Sequence, residues 1–427
     1  MFILVRKNLF LLNRHWYFMA SSLCHSLVRQ TNMYQALLII SAVIFGLYSL
    51  LILYYWKSWL NIPEYKVKDQ NLSVRNAGLK TKITVIISAR NEEKNIGNCL
   101  NSVCKQSYPK ELFEVLVVDD HSTDNTSAII KNYAQQNVKL IFLKDFIDSK
   151  LNSYKKKAIE IAIQQSSGEL IVTTDADCFV PKNWLQTIAA FYEEHQPQFI
   201  AAPVSINCGF RFIEIFQALD FTTLQGITGA SVHKKIHSMC NGANLAYTRK
   251  VFNEVGGFAG IDNIASGDDM LLMHKIYKQH PDKVMFLKSK DAIVQTVPVH
   301  SVKEFFNQRI RWASKADKYD DKRIFRVLLL VYLVNVLLLV LPVTALFLNI
   351  QLSISNYQLS IWGVWLLLLL LKTIVELIFL YPVATFFGKQ SLLWLFPLMQ
   401  PFHIIYTVIA GWLGKFGSYR WKERKVK

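Results

Sequence analysis

Charged residues are missing from long stretches near both ends of the chain and crowd its middle. Residues 36–56 carry no charge over about 20 positions, the length of helix that crosses a hydrocarbon core of roughly 30 Å. Residues 325–348 form a second apolar run, with Asn335 and Pro342 inside it, and residues 361–381 form a third. Such residues are tolerated where neighbouring helices satisfy them. Lys372 and Glu376 lie four apart on one face of the third run, where they can pair with each other or line an acceptor path. Residues 392–413 are apolar but interrupted by Pro397, Gln400, Pro401 and His403, which suits either a full span or a kinked, re-entrant segment.

Between these runs the period changes. Residues 82–88 (KITVIIS), 114–118 (EVLVV), 139–143 and 169–174 (ELIVTT) read as short buried strands, while 95–106, 154–165 and 270–277 place apolar residues at helical spacing. This alternation predicts an α/β domain with a mostly parallel sheet and crossover helices. The resulting division is a basic interfacial segment 1–35, a span 36–56, a linker 57–80, an α/β domain 81–320, spans 325–348 and 361–381, a span or re-entrant helix 392–413, and a basic tail 414–427.

At 427 residues and 52% apolar content, the chain has material for one catalytic domain and several spans. Its net charge of +17 fits a membrane-facing surface near anionic lipid or a phosphorylated substrate, and nucleic acid is not an expected partner. Cys24, Cys99, Cys104, Cys178, Cys208 and Cys240 show no CxxC pairing and read as reduced thiols. Arg6, Lys7 and Arg14 break the first apolar stretch, so no cleavable signal is expected. The tail 415–427 (KFGSYRWKERKVK) belongs on the cytosolic side by its charge, yet three full spans after a cytosolic domain put it outside. The basic N-terminus raises the same conflict, and the number of crossings stays open.

In open α/β sheets ligands bind at the carboxyl ends of the strands. Acids fall there twice: Asp119 and Asp120 after the second strand, Asp175 and Asp177 after the fourth. The Asp175/Asp177 pair offers two hard oxygen ligands to a divalent cation that also grips phosphate, or it is a solvated turn. In residues 266–269 (SGDD), Asp268 and Asp269 suit a general base or a cap for the helix that follows. In residues 308–312 (QRIRW), arginine can pin a diphosphate and tryptophan can stack on a sugar, or the group is an interfacial anchor. Residues 210–226 (FRFIEIFQALDFTTLQG) suit an amphipathic helix on the membrane face or an ordinary core helix. His233 and His237 are assigned no metal role.

The ordered set TVIISARNEE (84–93), VLVVDDHSTDNT (115–126), TTDADC (173–178), NGANLAYTRKVFNEVGGF (241–258), GDD (267–269) and QRIRW (308–312) resembles membrane-bound family 2 glycosyltransferases. That group includes cellulose, chitin, hyaluronan and poly-N-acetylglucosamine synthases and ceramide glucosyltransferases. The resemblance implies a GT-A fold, a Rossmann-like nucleotide-binding α/β domain. It places Ala89, Arg90 and Glu92 beside the nucleotide base and ribose, Asp120 with Asp119 at the base, and Lys156 near the donor phosphates. It makes Asp175 and Asp177 the ligands of Mg2+ or Mn2+ on the donor diphosphate, and Asp269 the catalytic base with Asp268 in the first position of the pair. Gln308, Arg309, Arg311 and Trp312 match the family's Q-(Q/R)-x-R-W pattern and are expected to hold the diphosphate and the acceptor site.

The implied reaction is one in-line displacement with inversion, from a nucleotide-sugar, with UDP-glucose or UDP-N-acetylglucosamine as the family's usual donors, to a lipid or growing glycan among membrane lipids. The implied location is a bacterial-type cytoplasmic membrane, with the domain in the cytosol. Two positions depart from the pattern: the acid pair is Asp-Asp rather than Glu-Asp, and Leu271 stands where many polymer synthases carry another acid. A nucleotide-binding transporter or regulatory module is the alternative class, and it needs neither Asp269 nor Trp312.

Overall fold

The computed structural model describes residues 35–67, 78–147, 151–236, 239–264, 267–314, 321–348, 351–354, 357–417, 419–421 and 424–426. The interfacial segment expected before residue 35, with Cys24, and also His237, Ser266 and Ser418, Lys422, Glu423 and Lys427 of the basic tail lie outside this set. Two compact units result: one holds the described residues up to Leu51 with Leu330–Ile374, the other Ile52–Leu329 with Val375–Lys427.

The second unit is built on a seven-stranded sheet of order β3-β2-β1-β4-β8-β6-β9. Strands β1 (Ile83–Ala89), β2 (Phe113–Asp119), β3 (Val138–Phe142) and β4 (Leu170–Asp175) run parallel. Each lies where the β-branched runs predict it; β1, β2 and β4 are buried on both faces, and the edge strand β3 only in part. The crossover helices are α2 (Ile96–Cys104), α3 (Thr126–Lys131) and α4 (Tyr154–Gln164). The later half departs from simple alternation. β8 (Leu245–Thr248) pairs antiparallel with both β4 and β6 (Phe199–Ala201), and β9 (Val284–Phe286) closes the edge beside β6. Strands β5 (Cys178–Phe179), β7 (Val204–Ile206) and β10 (Val294–Thr296) form a small second sheet. Helix α5 (Trp184–His195) shares one buried core with both sheets.

Four helices among the described residues are long and apolar enough to cross a membrane: Gln35–Leu60, Lys322–Leu346, Ile361–Phe386 and Gln390–Phe416. The first, α1, runs past the expected end at residue 56, so residues 57–60 are helix rather than linker. Its last turn belongs to the second unit's core. Trp59 is buried against Phe286 and Phe386, Ser58 donates to the Ala230 carbonyl, and Lys288 donates to the carbonyls of Trp59 and Ile62.

In the first unit, Trp365 donates to the Leu338 carbonyl, and the Asn335 side-chain amide donates to the Val331 carbonyl of its own helix. In the second, α6 (Phe212–His233) is buried along most of its length, so the core-helix reading of residues 210–226 holds; Phe210, Arg211 and Phe212 at its start are exposed. Gly226 lets α6 approach Phe379 and Val383 of α11 (Ile361–Phe386). The last long helix, α12 (Phe396–Phe416), lies alongside α9 (Val302–Ala313), with Phe402 and Tyr406 against Phe305 and Gly414 against Ala313. Glu376 accepts a hydrogen bond from Gln400 at 2.6 Å, joining α11 to α12.

Candidate active site

The register of the parallel strands decides which residues share an edge. Ala89 is level with Asp119 and Ser88 with Asp175, so three strands end together. β8 runs the other way, and its pairing of Leu245 with Thr173 brings the preceding turn, residues 241–244, back to that same edge. Thr173 donates to the Gly242 carbonyl at 2.9 Å and locks the turn in place. Asn244 is fully buried and braces it from behind, accepting from Trp184 and donating to the carbonyls of Pro203 and Ala292.

Onto this edge converge Asp175, Asp268 and Asp269. Lys155, at the start of α4, joins them: its Nζ is 2.7 Å from Asp175 Oδ1 and 3.3 Å from Asp268 Oδ2. Asp269 begins α8 (Met270–Gln279) and accepts from the N–H of Met270 at 2.7 Å and of Gly242 at 3.2 Å. A Cβ at position 242 would sit 3.2 Å from Asp268 Oδ2 and 3.3 Å from Lys155 Nζ, so glycine keeps this centre open. Burial pushes the Lys155 ammonium toward a lower pKa, but Asp175, Asp268 and Asp269 outweigh it, and the net shift is upward.

The expected Lys156 goes elsewhere. It is buried, with its ammonium donating to the carbonyls of Ile261 at 2.6 Å and Ile264 at 2.7 Å, so it fastens a loop. Adjacent helical residues point about 100° apart, and it is Lys155 that faces the carboxylates.

Asp119 is buried and accepts from the Ser122 N–H at 2.9 Å and from the Ser127 hydroxyl, which shapes the loop into α3. Asp120 is buried beside it, 3.0 Å from the His121 ring and 3.9 Å from Arg90 Nη1, while Arg90 also donates to the Asp120 carbonyl at 2.8 Å. Ala89 is buried, and Glu92 accepts from Asn95 at 3.0 Å. These residues line the outer end of β1 and β2, with Tyr154 edge-on to His121. Asp177 follows the buried Ala176 and is partly exposed, as is Asp175. Among the described residues, no group of three or more His, Cys, Asp or Glu is set to hold a metal. A two-carboxylate set still fits Mg2+ or Mn2+, which take few protein ligands when substrate phosphates complete the shell.

The QRIRW residues occupy the last half of α9, and the structure divides them. Arg311 and Trp312 are partly exposed, Trp312 packing against the main core. Gln308 is partly buried, with its side-chain oxygen closed off from solvent. Arg309, expected at the diphosphate, is instead 4% exposed and paired with Asp220 of α6, its Nη2 2.7 Å from Asp220 Oδ2. A buried guanidinium stays with its carboxylate, so Arg309 is not available to a donor in this structure.

Residues 84–256 match the profile of Glycosyl transferase family 2. Over those residues the chain is similar to the family 2 glycosyltransferases. The match takes in β1, β2, β4 and the turn before β8, hence most of the edge just described. TarS of Staphylococcus aureus (strain Mu50 / ATCC 700699), a poly(ribitol-phosphate) beta-N-acetylglucosaminyltransferase, is 38% identical over 115 residues, 27% of this chain and 19% of that protein. The beta-monoglucosyldiacylglycerol synthase of Synechocystis is 31% identical over 111 residues, 26% of this chain and 23% of its own length. The chain therefore matches about a fifth of the length of these curated relatives. Among solved structures, the mannosyltransferase PcManGT from Pyrobaculum calidifontis, in complex with GDP-Man and Mn2+, superposes with a TM-score of 0.53 at 20% identity, covering 86% of this chain and 98% of that one. The family 2 domain shares its fold with that GT-A enzyme.

Proposed function

We propose that this chain transfers a hexose or N-acetylhexosamine from a nucleotide-sugar, a UDP-sugar by preference, to a membrane-associated acceptor, with inversion at the sugar carbon. The observation that carries the reading is the single centre formed by Lys155, Asp175, Asp268 and Asp269 at the carboxyl edge of the sheet. An ammonium enclosed by acids is poised to exchange carboxylate for diphosphate when a donor arrives, and it replaces Lys156 in the donor set. Arg90, Asp120 and His121 form the wall that suits the base and ribose.

Asp175 and Asp177 are the residues that would hold a divalent cation, which when bound supplies positive charge to the departing diphosphate. PcManGT, which shares the fold, is described with Mn2+ and a nucleotide-sugar. Asp269, oriented by two backbone N–H groups, takes the proton of the acceptor hydroxyl. The acceptor oxygen bonds to the anomeric carbon as the bond from that carbon to the diphosphate oxygen breaks, its electron pair leaving with the nucleotide. Trp312 offers a ring face to the acceptor, and Arg311 adds charge at its mouth.

The four apolar helices support residence in a bacterial-type cytoplasmic membrane with the domain in the cytosol. α12 lies along α9 and keeps its other face apolar, which favours a helix lying in the interface over a crossing one. That arrangement leaves the basic tail on the cytosolic side, as its charge demands. A lipid acceptor suits this layout, and one relative is named for a glycolipid product.

The test is transfer by the purified chain in lipid nanodiscs, offered radiolabelled nucleotide-sugars with Mg2+ or Mn2+, beside Asp269→Asn. Label moving into lipid extract or polymer, and lost in the variant, supports the reading; binding of nucleotide without turnover of any donor overturns it.

A further inference from the structure

Asp220 is invisible as a functional residue in the sequence, being one acid in the apolar α6. In the structure it joins three helices. Its Oδ1 accepts from the Tyr406 hydroxyl of α12 at 2.6 Å, and its Oδ2 lies 2.7 Å from Arg309 Nη2 of α9. His403 Nε2 approaches within 4.0 Å. Beyond Asp220, the Arg309 guanidinium lies against ring faces, its centre 4.2 Å from the Trp312 ring and 4.8 Å from the Phe305 ring. Phe221, the neighbour of Asp220 on α6, meets Trp312 from another side, ring centres 6.1 Å apart.

We propose that Asp220 is a positioning residue for the acceptor site: through Arg309 it fixes the plane of the Trp312 ring and reserves one face of it. This rests on the reading that Trp312 meets the acceptor. A planar guanidinium stacks on an indole and holds its orientation, which a lysine or a neutral side chain would not do. The guanidinium in turn is held because leaving a buried charge without its counterion is strongly unfavourable. Asp220 itself is fixed at two oxygens by groups on separate helices, so the ring inherits its orientation from the packing of α6 and α12. A sugar then meets a ring already set in one plane rather than one free to rotate, which lowers the entropy lost on binding.

The experiment measures KM and kcat for acceptor and donor separately in nanodiscs. Asp220→Asn is expected to raise the acceptor KM roughly tenfold, a loss of about 1.4 kcal/mol, with a smaller effect on donor KM. Asp220→Leu combined with Arg309→Leu removes both charges, a change that buried pairs often tolerate in stability. It is expected to fold and still show the raised acceptor KM. Asp220→Glu, which keeps the charge, is expected to restore part of the acceptor affinity. A normal acceptor KM in the folded double variant overturns the proposal. Trp312→Ala separates the two layers: if it raises acceptor KM while the Asp220 variants do not, the positioning role is wrong, and if it changes nothing, the assignment of Trp312 to the acceptor is wrong.

Discussion

Lys155 and Asp175 are 2.7 Å apart, an ion pair that spans from the first turn of α4 to the end of β4. The pair puts a fixed positive charge where the leaving diphosphate is proposed to sit, and it separates the roles of two neighbouring lysines. Lys155→Met is expected to weaken nucleotide-sugar binding about tenfold or more while leaving the melting temperature near that of the parent. Lys156→Met, by contrast, strips two buried carbonyls of their donor and is expected to destabilise by about 2 kcal/mol or more. Isothermal titration with a nucleotide-sugar and thermal melts of both variants check the pair; equal effects from the two would show that the ammonium groups are interchangeable.

Asp269→Asn removes the proposed base but can still accept from the Met270 N–H, so the helix start is kept. Transfer is expected to fall about 10²–10⁴-fold with unchanged donor affinity, as for loss of a general base. Asp268→Asn, which loses the ion pair to Lys155 rather than the base, should show more of its defect in donor KM. Initial rates over a donor series distinguish them.

Gly226→Ala places a methyl 2.7 Å from Val383 Cγ2 and 2.8 Å from Phe379 Cζ. The crowding is expected to cost about 1–3 kcal/mol. Reduced thermal stability in detergent, with the sugar-transfer rate per folded molecule little changed, is the expected result.

Glu114 supplies a pH test. Burial pushes its carboxyl up, but hydrogen bonds from Ser167 and Thr84 prevail and hold it below its ordinary value. A depressed folded pKa contributes stability that is present above the unfolded pKa and is lost as pH falls through the folded one. Between pH values of about 7 and 3.5, bracketing the ordinary carboxylate pKa, the melting temperature of Glu114→Gln is expected to fall less than that of the parent. An equal fall in both would remove Glu114 from the acid transition.

The thiols report on the carboxyl edge. Burial, followed by the nearby Asp177 and Asp175, pushes Cys99 and Cys178 well above the usual thiol range. Cys208 and Cys240 are partly exposed. Iodoacetamide is expected to label the latter two first, read by peptide mass spectrometry; early labelling of Cys99 would mean that the edge opens in solution.

Most of the first four strands and their helices were legible because their β-branched runs, buried on both faces in β1, β2 and β4, are bounded by turn residues. The three-residue strands β6, β7, β9 and β10 were not, since nothing local marks segments that short and their pairing comes from distant partners. At the site, Asp175 and Asp268 both lie against Lys155, and Asp269 accepts from Gly242 beside them. Lys155 was missed because it lies in a run of three lysines, each with an apolar residue three or four positions on. Arg309 reads as a ligand for phosphate until Asp220, far away in sequence, is seen to claim it. The same distance hid Asp220.

The last turn of α1 is finished off by the catalytic domain: Trp59 is enclosed by Phe286 and Phe386, and Lys288 lies 4.4 Å over its ring. A tryptophan sealed in this way is withdrawn from the headgroup belt where it would otherwise float with lipid thickness. These contacts make a collar around the end of the helix. If α1 crosses a bilayer as proposed, a change of membrane thickness has to be met by tilt of the helix or by thinning or thickening of the lipid around it, since its last turn is held in the core.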